Sequence, residues 1–436
     1  MKGLKMNRKI ALPYGDDEIV HIRLPEEKLS WIVTPREVEV SENEEEEIRR
    51  AIQNPIGTPS LAELVKQKGK NVVLLVDDNT RCTPQKKILP ILIEELNKAD
   101  VDDSHITALI ALGTHRPMED WEIRERFGDG LVNRIRFINH DCQNLDGLIE
   151  IKNSHIPYPV VISSLYYKAD ISIGIGNIIS HMYTGWSGGP KIVQPGVCGE
   201  VTTGETHIQS GEKVYDIVGQ LDNIVYKQIR SIARITGLTM IVNTVLDSQN
   251  KIVKVVAGDL ELAHKEGIQS AERIYCFNIK EQLDIVIASS HPADRDLWQA
   301  AKALNNCGMA VKDGGTLILI CPCPEGIAPD HPDFSALGTS SPNEAKALLK
   351  EGKISDKVAL ATYLAMDVTR RRINVILVSE GITDQEASKI GLKAFESIDN
   401  ALDIVLKSTD INTRIGVVTH GGDVVFRIET IFNKNL

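Results

Sequence analysis

The chain has 436 residues, with 49 Lys and Arg against 60 Asp and Glu, and a formal net charge of −11 at pH 7. At about 150 residues per domain, this length predicts two or three domains with a buried core. The composition, 42% hydrophobic and 25% charged, is that of a globular protein and excludes disordered, collagenous and membrane-spanning classes. A net acidic surface repels nucleic acid and anionic membranes, so neither is an expected partner.

The N-terminal residues lack an apolar stretch of signal-peptide length, and the seven cysteines lack the spacing of a disulfide framework. Both features predict a protein of the reducing cytoplasm. The closest pair, Cys321 and Cys323, ends an apolar run, and buried thiols are its simplest interpretation.

From residue 71 onward, short β-branched runs alternate with helix-like stretches, a pattern typical of parallel sheets covered by helices. The first series of predicted strands covers residues 71–78, 105–113, 134–141 and 169–176. Residues 238–247 and 251–259 are joined by a short polar turn, which predicts an antiparallel hairpin.

A second series of predicted strands covers residues 283–290, 314–323, 373–381 and 414–422. We therefore place a domain boundary between residues 272 and 282. The predicted class is α/β, with two α/β domains of mainly parallel sheets and an active-site cleft between them. Residues 1–275 form the predicted catalytic, cofactor-anchoring domain and residues 276–436 the C-terminal domain, with a last strand that can return to the first domain.

Polar side chains follow the predicted strands of the first domain. Asp78 and Arg81 come directly after the first strand, and His115 follows the second. Ligands of open α/β sheets bind beyond the carboxyl ends of the strands. These three residues are therefore candidate site residues.

The segment after the fourth strand, residues 177–207, is rich in glycine. Its Ser187-Gly188-Gly189 stretch lets backbone N–H groups approach an anion, and phosphate is the expected anion. The spacing matches neither the nucleoside triphosphate loop nor the dinucleotide fingerprint.

Three further polar residues of that segment, His181, Lys191 and His207, lie in contexts that an apolar core would not select. Taken singly, each is more often structural, but together they indicate a site. In the second domain, Trp298, Gln299 and Lys302 fall within one turn of a predicted helix, so they are able to reach a cleft between the domains.

These residues carry a resemblance to the nickel-dependent lactate racemase family of 2-hydroxy-acid racemases and epimerases, over nearly the whole chain. The matching motifs, in chain order, are Asp78-Asn-Thr-Arg81, Gly113-Thr-His115-Arg116, His181, Gly185-Trp-Ser-Gly-Gly-Pro-Lys191, Pro195-Gly196, His207 and Trp298-Gln-Ala-Ala-Lys302. The resemblance implies a two-domain protein whose cleft holds a nickel-pincer nucleotide, a nicotinic-acid-derived mononucleotide with two sulfur arms.

The resemblance also implies how the cofactor is held. Lys191 is the expected point of covalent attachment through a thioamide, and His207 is the expected nickel ligand. Imidazole suits a square-planar nickel site. Asp78 and the Ser187-Gly188-Gly189 amides are expected to hold the sugar and phosphate. The resemblance further implies maturation enzymes as partners, and protein that has not met them keeps a free Lys191 amine.

The remaining implied roles concern the substrate. His115 and His181 are the expected acid–base pair on opposite sides of it. Arg81 and Lys302 are expected to hold its carboxylate or polarise its oxygen, with Trp298 and Gln299 beside it. The implied reaction passes the hydroxyl proton to one histidine and the α-hydrogen, as hydride, to the cofactor. Return of the hydride to the opposite face of the transient 2-keto acid gives the mirror-image acid.

The family pattern is not matched everywhere. Position 298 is tryptophan where tyrosine is typical, Cys82 follows Arg81, and Pro190 precedes the lysine where glycine is common. The substrate is therefore left open among lactate and longer, aromatic, dicarboxylic or sugar acids, and the sequence does not define the oligomeric state.

Two other hypotheses remain beside the racemase. One is a zinc hydrolase with His115, His181 and His207 around an activated water, although these histidines lack the spacing of known zinc motifs. The other is a non-catalytic protein that binds a phosphorylated nucleotide.

Overall fold

A computed structural model describes residues 7–15, 18–152, 155–407 and 409–429. In chain order, the strands are β1 (Asn7–Tyr14), β2 (Glu18–Pro25), β3 (Leu29–Val33), β4 (Val72–Val76), β5 (Ile106–Ile110), β6 (Arg136–Asn139), β7 (Leu148–Glu150), β8 (Val161–Ser163), β9 (Ile171–Asn177), β10 (Ser180–His181), β11 (Gly185–Trp186), β12 (Met240–Leu246), β13 (Ile252–Gly258), β14 (Cys276–Ile279), β15 (Leu283–Ser289), β16 (Val311–Ile320), β17 (Asn374–Val378), β18 (Lys393–Phe395), β19 (Ile415–Val418) and β20 (Val425–Ile428).

The α-helices lie between these strands. They are α1 (Glu44–Gln53), α2 (Leu61–Lys68), α3 (Gln85–Lys98), α4 (Asp120–Phe127), α5 (Asp129–Val132), α6 (Ser164–Tyr167), α7 (Glu200–Gly211), α8 (Val214–Ile217), α9 (Ile224–Ile235), α10 (Leu262–Tyr275), α11 (Leu297–Gly308), α12 (Asp333–Leu337), α13 (Pro342–Lys350), α14 (Lys357–Arg370), α15 (Asp384–Lys389) and α16 (Ile398–Lys407). No helix in the described ranges is long and apolar enough to cross a membrane.

The first large sheet has the strand order β13-β12-β9-β4-β5-β6. All its neighbours are parallel except β12 and β13, which form the predicted antiparallel hairpin. Every residue of the central strand β4 is buried. Its alternate side chains join different core clusters, Leu74 on one face and Leu75 on the other, so apolar helices cover both faces.

The second large sheet has the order β18-β17-β16-β15-β19-β3, and all its strands are parallel. The α/β class with mainly parallel sheets is therefore confirmed. Strand β3 of this sheet comes from the N-terminal part of the chain, within residues 1–275 that the sequence predicts to form the first domain. The β1–β2 hairpin also packs there: its buried face, including Leu12 and Ile22, joins the core formed by Ile285 and Ile287.

A further parallel pair, β14 and β20, lies between the two large sheets. Successive side chains of a strand point to opposite sides. Accordingly, Val425 packs in a core cluster of the first sheet, whereas Phe426 and Ile428 pack in the main cluster of the second. Strand β20, the last in the described ranges, therefore contacts both cores.

Candidate active site

A cleft at the carboxyl ends of the first sheet brings together residues from both series of strands. It contains about 960 Å³ of space, counting its open mouth, which is within the range of small-molecule sites. The predicted site residues that line it are Asp78, Arg81, His115, His181, Ser187, Gly188, Lys191, His207, Trp298, Gln299 and Lys302. Gly189 is the one predicted site residue that does not line it.

The loop after β4 is held by a buried carboxylate, that of Asp77. This carboxylate accepts hydrogen bonds from Thr83, from Gln85 Nε2 (2.8 Å) and from Arg126 Nη2 (2.6 Å). The hydrogen bonds fix the start of the loop that carries Asp78 and Arg81 into the cleft.

Both carboxylate oxygens of Asp78 have hydrogen-bond partners. Its Oδ1 accepts hydrogen bonds from the backbone N–H and hydroxyl of Thr80, at 3.1 and 2.6 Å, and its Oδ2 lies 2.6 Å from His115 Nδ1. Burial raises the pKa of Asp78, but His115 and Arg81 outweigh it, so the pKa lies well below its ordinary value. The carboxylate stays ionised and holds His115 with Nε2 as the remaining ring nitrogen.

His181 is carried by a small hairpin, β10 and β11, in which it pairs with Gly185. Its Nδ1 accepts a hydrogen bond from the backbone N–H of Tyr183 at 3.2 Å. A neutral ring in this position carries its proton on Nε2. Burial, followed by the nearby charges of Lys191 and Lys302, lowers the pKa of His181 well below its ordinary value, so the ring is neutral.

The glycine-rich segment is built around hydrogen bonds within the protein. The Ser187 hydroxyl donates to Asn177 O (2.8 Å) and accepts from Ile179 N (3.0 Å), and the Gly189 N–H donates to Asn243 Oδ1 (2.7 Å). Gly188 has a φ of 74° and lines the cleft. Gly188 is therefore the glycine of this stretch that faces the ligand space.

Lys191 follows in a 3-10 turn, Gly189–Ile192, and lines the cleft. Burial, with Arg81 and Lys302 as neighbouring cations, lowers the pKa of its ammonium well below the ordinary lysine value. A lysine in such surroundings loses its proton more readily than an exposed lysine, which favours a nucleophilic amine.

His207 lies on α7, which packs closely against α14 of the second domain. Its Nδ1 donates to the carbonyl oxygen of Thr203 at 2.8 Å, one helical turn earlier, and the Tyr183 ring stands edge-on to it at 4.8 Å. Burial lowers the pKa of His207 to about 4. The contact at Nδ1 leaves Nε2 as the free ring nitrogen, an arrangement common for histidines that bind metals.

The second domain contributes residues from the start of α11. Asp296 caps this helix by accepting from Gln299 N at 2.7 Å, and Lys302 Nζ donates to Gln299 Oε1 at 2.7 Å. Burial, with a contribution from Arg81, lowers the pKa of Lys302 to about 7. Arg81 and Lys302 thus bring two basic groups close together from different domains.

Several lining residues were not predicted from the sequence, among them Met182, Tyr183 and Val358. Tyr183 lies two residues after His181, and this proximity was the only available signal. Val358 lies on α14, far along the chain from every motif. Nothing in its local sequence distinguishes it from a core residue.

Two family matches cover most of the chain. The lactate racemase N-terminal domain matches residues 14–215, and the lactate racemase C-terminal domain matches residues 279–426. The lactate racemase of Thermoanaerobacterium thermosaccharolyticum is 29% identical over 427 residues, which are 96% of this chain and 99% of the relative. The lactate racemase of Lactiplantibacillus plantarum is 31% identical over 296 residues, 65% of this chain and 67% of the relative.

Solved structures give the same result. The lactate racemase apoprotein from Thermoanaerobacterium thermosaccharolyticum superposes with a TM-score of 0.85 at 28% identity, covering 96% of this chain and all of the other. A protein from Thermotoga maritima shares the fold, with a TM-score of 0.66 at 19% identity over 88% of this chain and 98% of its own. From the two domain matches and these relatives, we conclude that the chain belongs to the lactate racemase family of isomerases.

Proposed function

We propose that this protein is a racemase or epimerase of a small 2-hydroxy acid that works with a nickel-pincer nucleotide. The observation that carries the proposal is the convergence, in one cleft, of three imidazoles, a lysine of lowered pKa and a pair of basic groups from different domains. The family membership supports the racemase class, and the cleft supplies the chemistry that such a reaction needs.

The residues present fit the cofactor. Lys191 offers an amine of lowered pKa for covalent attachment, and His207 offers a neutral imidazole whose Nδ1 is already held by a backbone carbonyl. Metal ligands must be deprotonated, and their orientation depends on such contacts. When bound, the nickel-pincer nucleotide supplies an acceptor for the α-hydrogen of the substrate.

The proton chemistry belongs to the chain itself. Asp78 accepts a hydrogen bond from the Nδ1–H of His115, which leaves the Nε2 lone pair to take the hydroxyl proton of a substrate. His181 is in the opposite tautomer. Its proton is on Nε2, and its Nδ1 accepts a hydrogen bond from the Tyr183 backbone N–H. In the resting protein, His115 is thus ready as the base, while His181 is ready to donate a hydrogen bond to the substrate oxygen.

Racemisation requires the two histidines to exchange these roles. For His181 to act as a base, its proton must leave Nε2, which places a proton on Nδ1 opposite the Tyr183 N–H. This contact between two donors opposes the exchange. A small rotation of the ring away from Tyr183 removes the conflict, so we expect the His181 side chain to reorient during turnover.

Arg81 and Lys302 are placed to hold the substrate carboxylate. Arg81 brings a planar fork of donors from the first domain, and Lys302 brings a point charge from α11. The carboxylate therefore joins the two domains across the cleft. This arrangement keeps the α-carbon fixed while the two histidines act on the oxygen bound to it.

The zinc hydrolase hypothesis is not supported by the donor arrangement. Within the described ranges, no three His, Cys, Asp or Glu side chains are grouped so as to hold a metal ion. A catalytic zinc site needs about three protein ligands. A metal held by one histidine and an organic ligand agrees better with this cleft.

The test is to produce the protein with the cofactor-making enzymes and to compare the wild type with Lys191→Ala. We expect the wild type to gain about the mass of the pincer nucleotide at Lys191, to hold nickel and to interconvert the enantiomers of a 2-hydroxy acid. The variant should lose all three properties. An exposed lysine on α2, changed in Lys66→Ala, is the matched control and should lose none.

Each alternative has a different outcome. A matured protein without nickel or added mass contradicts the proposal. One equivalent of zinc together with hydrolysis indicates the hydrolase, and tight binding of a nucleotide without turnover of any 2-hydroxy acid indicates the non-catalytic protein. We place the enzyme in the cytoplasm with its maturation partners, in agreement with its seven free cysteines.

A further inference from the structure

Trp298 lines the cleft from the second domain and is held there by other aromatic rings. The imidazole of His331 is stacked on the indole, with ring centroids 3.9 Å apart and planes 15° apart. The ring of Phe334 stands edge-on to the same indole at 5.8 Å. With one face covered and a neighbour at its edge, the indole is fixed and presents its remaining surface to the cleft.

His331 is fixed in turn by Asp356. The imidazole is 4% exposed, and its Nδ1 lies 2.5 Å from Asp356 Oδ2. The other carboxylate oxygen of Asp356 caps α14 by accepting hydrogen bonds from the N–H groups of Val358 and Ala359, at 2.8 and 2.9 Å. Val358 is the residue through which α14 lines the cleft. One carboxylate therefore sets the position of two cleft walls.

Trp298 packs against an apolar cluster that includes Met182, Tyr183 and Phe334. Met182, Tyr183 and Val358 line the same cleft, and the Tyr183 hydroxyl already donates a 2.6 Å hydrogen bond to Thr362 Oγ1. Burial of an unpaired polar group costs free energy. The Tyr183 hydroxyl therefore offers no partner to a hydroxylated or charged side chain of the substrate.

The charged groups of the cleft are already committed. Lys191 is assigned to the cofactor, and Arg81 and Lys302 are assigned to the carboxylate of the substrate. A dicarboxylic acid would need a further cation. Among the described residues that line the cleft, Arg81, Lys191 and Lys302 are the lysines and arginines, so none is left for a second carboxylate.

From these observations we propose that the Trp298–His331–Asp356 stack is the specificity element of this enzyme, against which the side chain of the substrate lies, and that it selects 2-hydroxy acids with an apolar side chain. The inference rests on the proposed function and narrows its substrate class. The indole sets the size limit, and His331 and Asp356 are positioning residues that act through it.

The test compares kcat/KM of the matured enzyme for lactate, 2-hydroxyisocaproate, 3-phenyllactate, malate and glycerate. We expect the apolar acids to exceed malate and glycerate by about 100-fold, the scale on which sites discriminate against unpaired polar groups. Trp298→Ala should raise the ratio of 3-phenyllactate to lactate by about 10-fold or more, because a larger side chain then fits. His331→Ala should shift this ratio in the same direction.

Two variants separate specificity from a general loss of structure. His331→Phe keeps a ring beneath the indole and should restore the wild-type ratio, which a merely structural role would not predict. Trp121→Ala removes an indole of α4 that is 65% exposed and should leave every ratio unchanged. A Trp298→Ala enzyme whose ratios stay within about 2-fold of wild type contradicts the proposal, as does a preference for malate or glycerate.

Calorimetry tests the same inference by substrate binding, without a need for turnover. We expect the chain to bind apolar 2-hydroxy acids more tightly than polar ones and Trp298→Ala to relax that preference. Equal binding of both kinds overturns the inference. A matured enzyme that racemises none of these acids contradicts the proposed function instead, so the two failures are distinguishable.

Discussion

Asp78 Oδ2 and His115 Nδ1 lie 2.6 Å apart, at the ends of neighbouring parallel strands. Strands β4 and β5 are in register, with Val76 beside Ile110, so the loops that follow them leave the sheet side by side. The pair thus follows directly from the topology of the sheet. It makes Asp78 a positioning residue for the base, through which one tautomer of His115 is selected.

Replacement of this carboxylate is the first prediction. Asp78→Asn removes the charge that holds the Nδ1 proton, so His115 loses its preferred tautomer and its stabilisation as an imidazolium. We expect kcat/KM of the matured enzyme to fall by about 100-fold or more, the range of general acid–base catalysis. Enantiomer exchange followed by chiral chromatography measures the change.

Thr80→Val is the matched control for Asp78→Asn. It removes a hydroxyl that bonds to the other oxygen of the same carboxylate and leaves the pair with His115 intact. The control should keep most of the activity, and both variants should carry the cofactor by mass. Equal losses in the two variants would contradict the assigned role of Asp78.

The second prediction concerns pH and Lys302. Burial and Arg81 lower the pKa of Lys302 to about 7. The amine is therefore charged below that pH and neutral above it, and only the charged form attracts a carboxylate. We expect kcat/KM to fall by up to tenfold per pH unit above about pH 7, since this parameter reports the free enzyme.

The Lys302→Arg variant tests whether Lys302 causes this fall in kcat/KM. Arginine stays protonated throughout the accessible range, so the fall above pH 7 should disappear while carboxylate binding is kept. Arg81→Gln should move the fall in kcat/KM to higher pH than in the wild type, because it removes a neighbouring cation that lowers the pKa of Lys302. An unchanged pH profile in Lys302→Arg would show that another group causes the fall above pH 7.

The third prediction separates the attachment of the cofactor from nickel binding. His207→Ala removes the imidazole but leaves Lys191 in place, so the organic mass should remain on the chain while the nickel content falls by about 10-fold or more. Intact-mass spectrometry and metal analysis measure the two quantities. His105→Ala, an exposed histidine remote from the cleft, should change neither. Loss of mass together with nickel would contradict separate roles.

Much of the fold could be predicted because local sequence patterns determine the strands. The β-branched runs that precede Asp78, His115 and Lys191 became strands β4, β5 and β9 of one sheet, and the hairpin of β12 and β13 also formed as expected. Parallel strands place their carboxyl ends at one edge, so the candidate residues followed from the strands.

The parts that were missed depend on contacts between distant segments. β3 pairs with β19, nearly the whole chain away, and nothing within residues 29–33 indicates that partner. The position of Val358 depends on the packing of α7 against α14, and that of Tyr183 on its hydrogen bond to Thr362 of α14. The hydrogen bonds that occupy Ser187 and Gly189 involve Asn177 and Asn243, whose sequence contexts suggest ordinary strand residues.

The final prediction tests the hairpin that carries His181. Gly185, its partner across the hairpin, has a φ of 84°, and a Cβ atom there would overlap the carbonyl oxygen of Gln220. Gly237 has nearly the same φ, 88°, but a Cβ there would meet nothing within 4 Å. Both substitutions by alanine carry backbone strain of about 1–3 kcal/mol, and only Gly185→Ala adds a steric overlap with backbone. We therefore expect urea unfolding to show a clearly larger loss of stability for Gly185→Ala, together with a fall in kcat from the displaced His181. Equal losses in the two variants would mean that the hairpin adapts and does not fix His181.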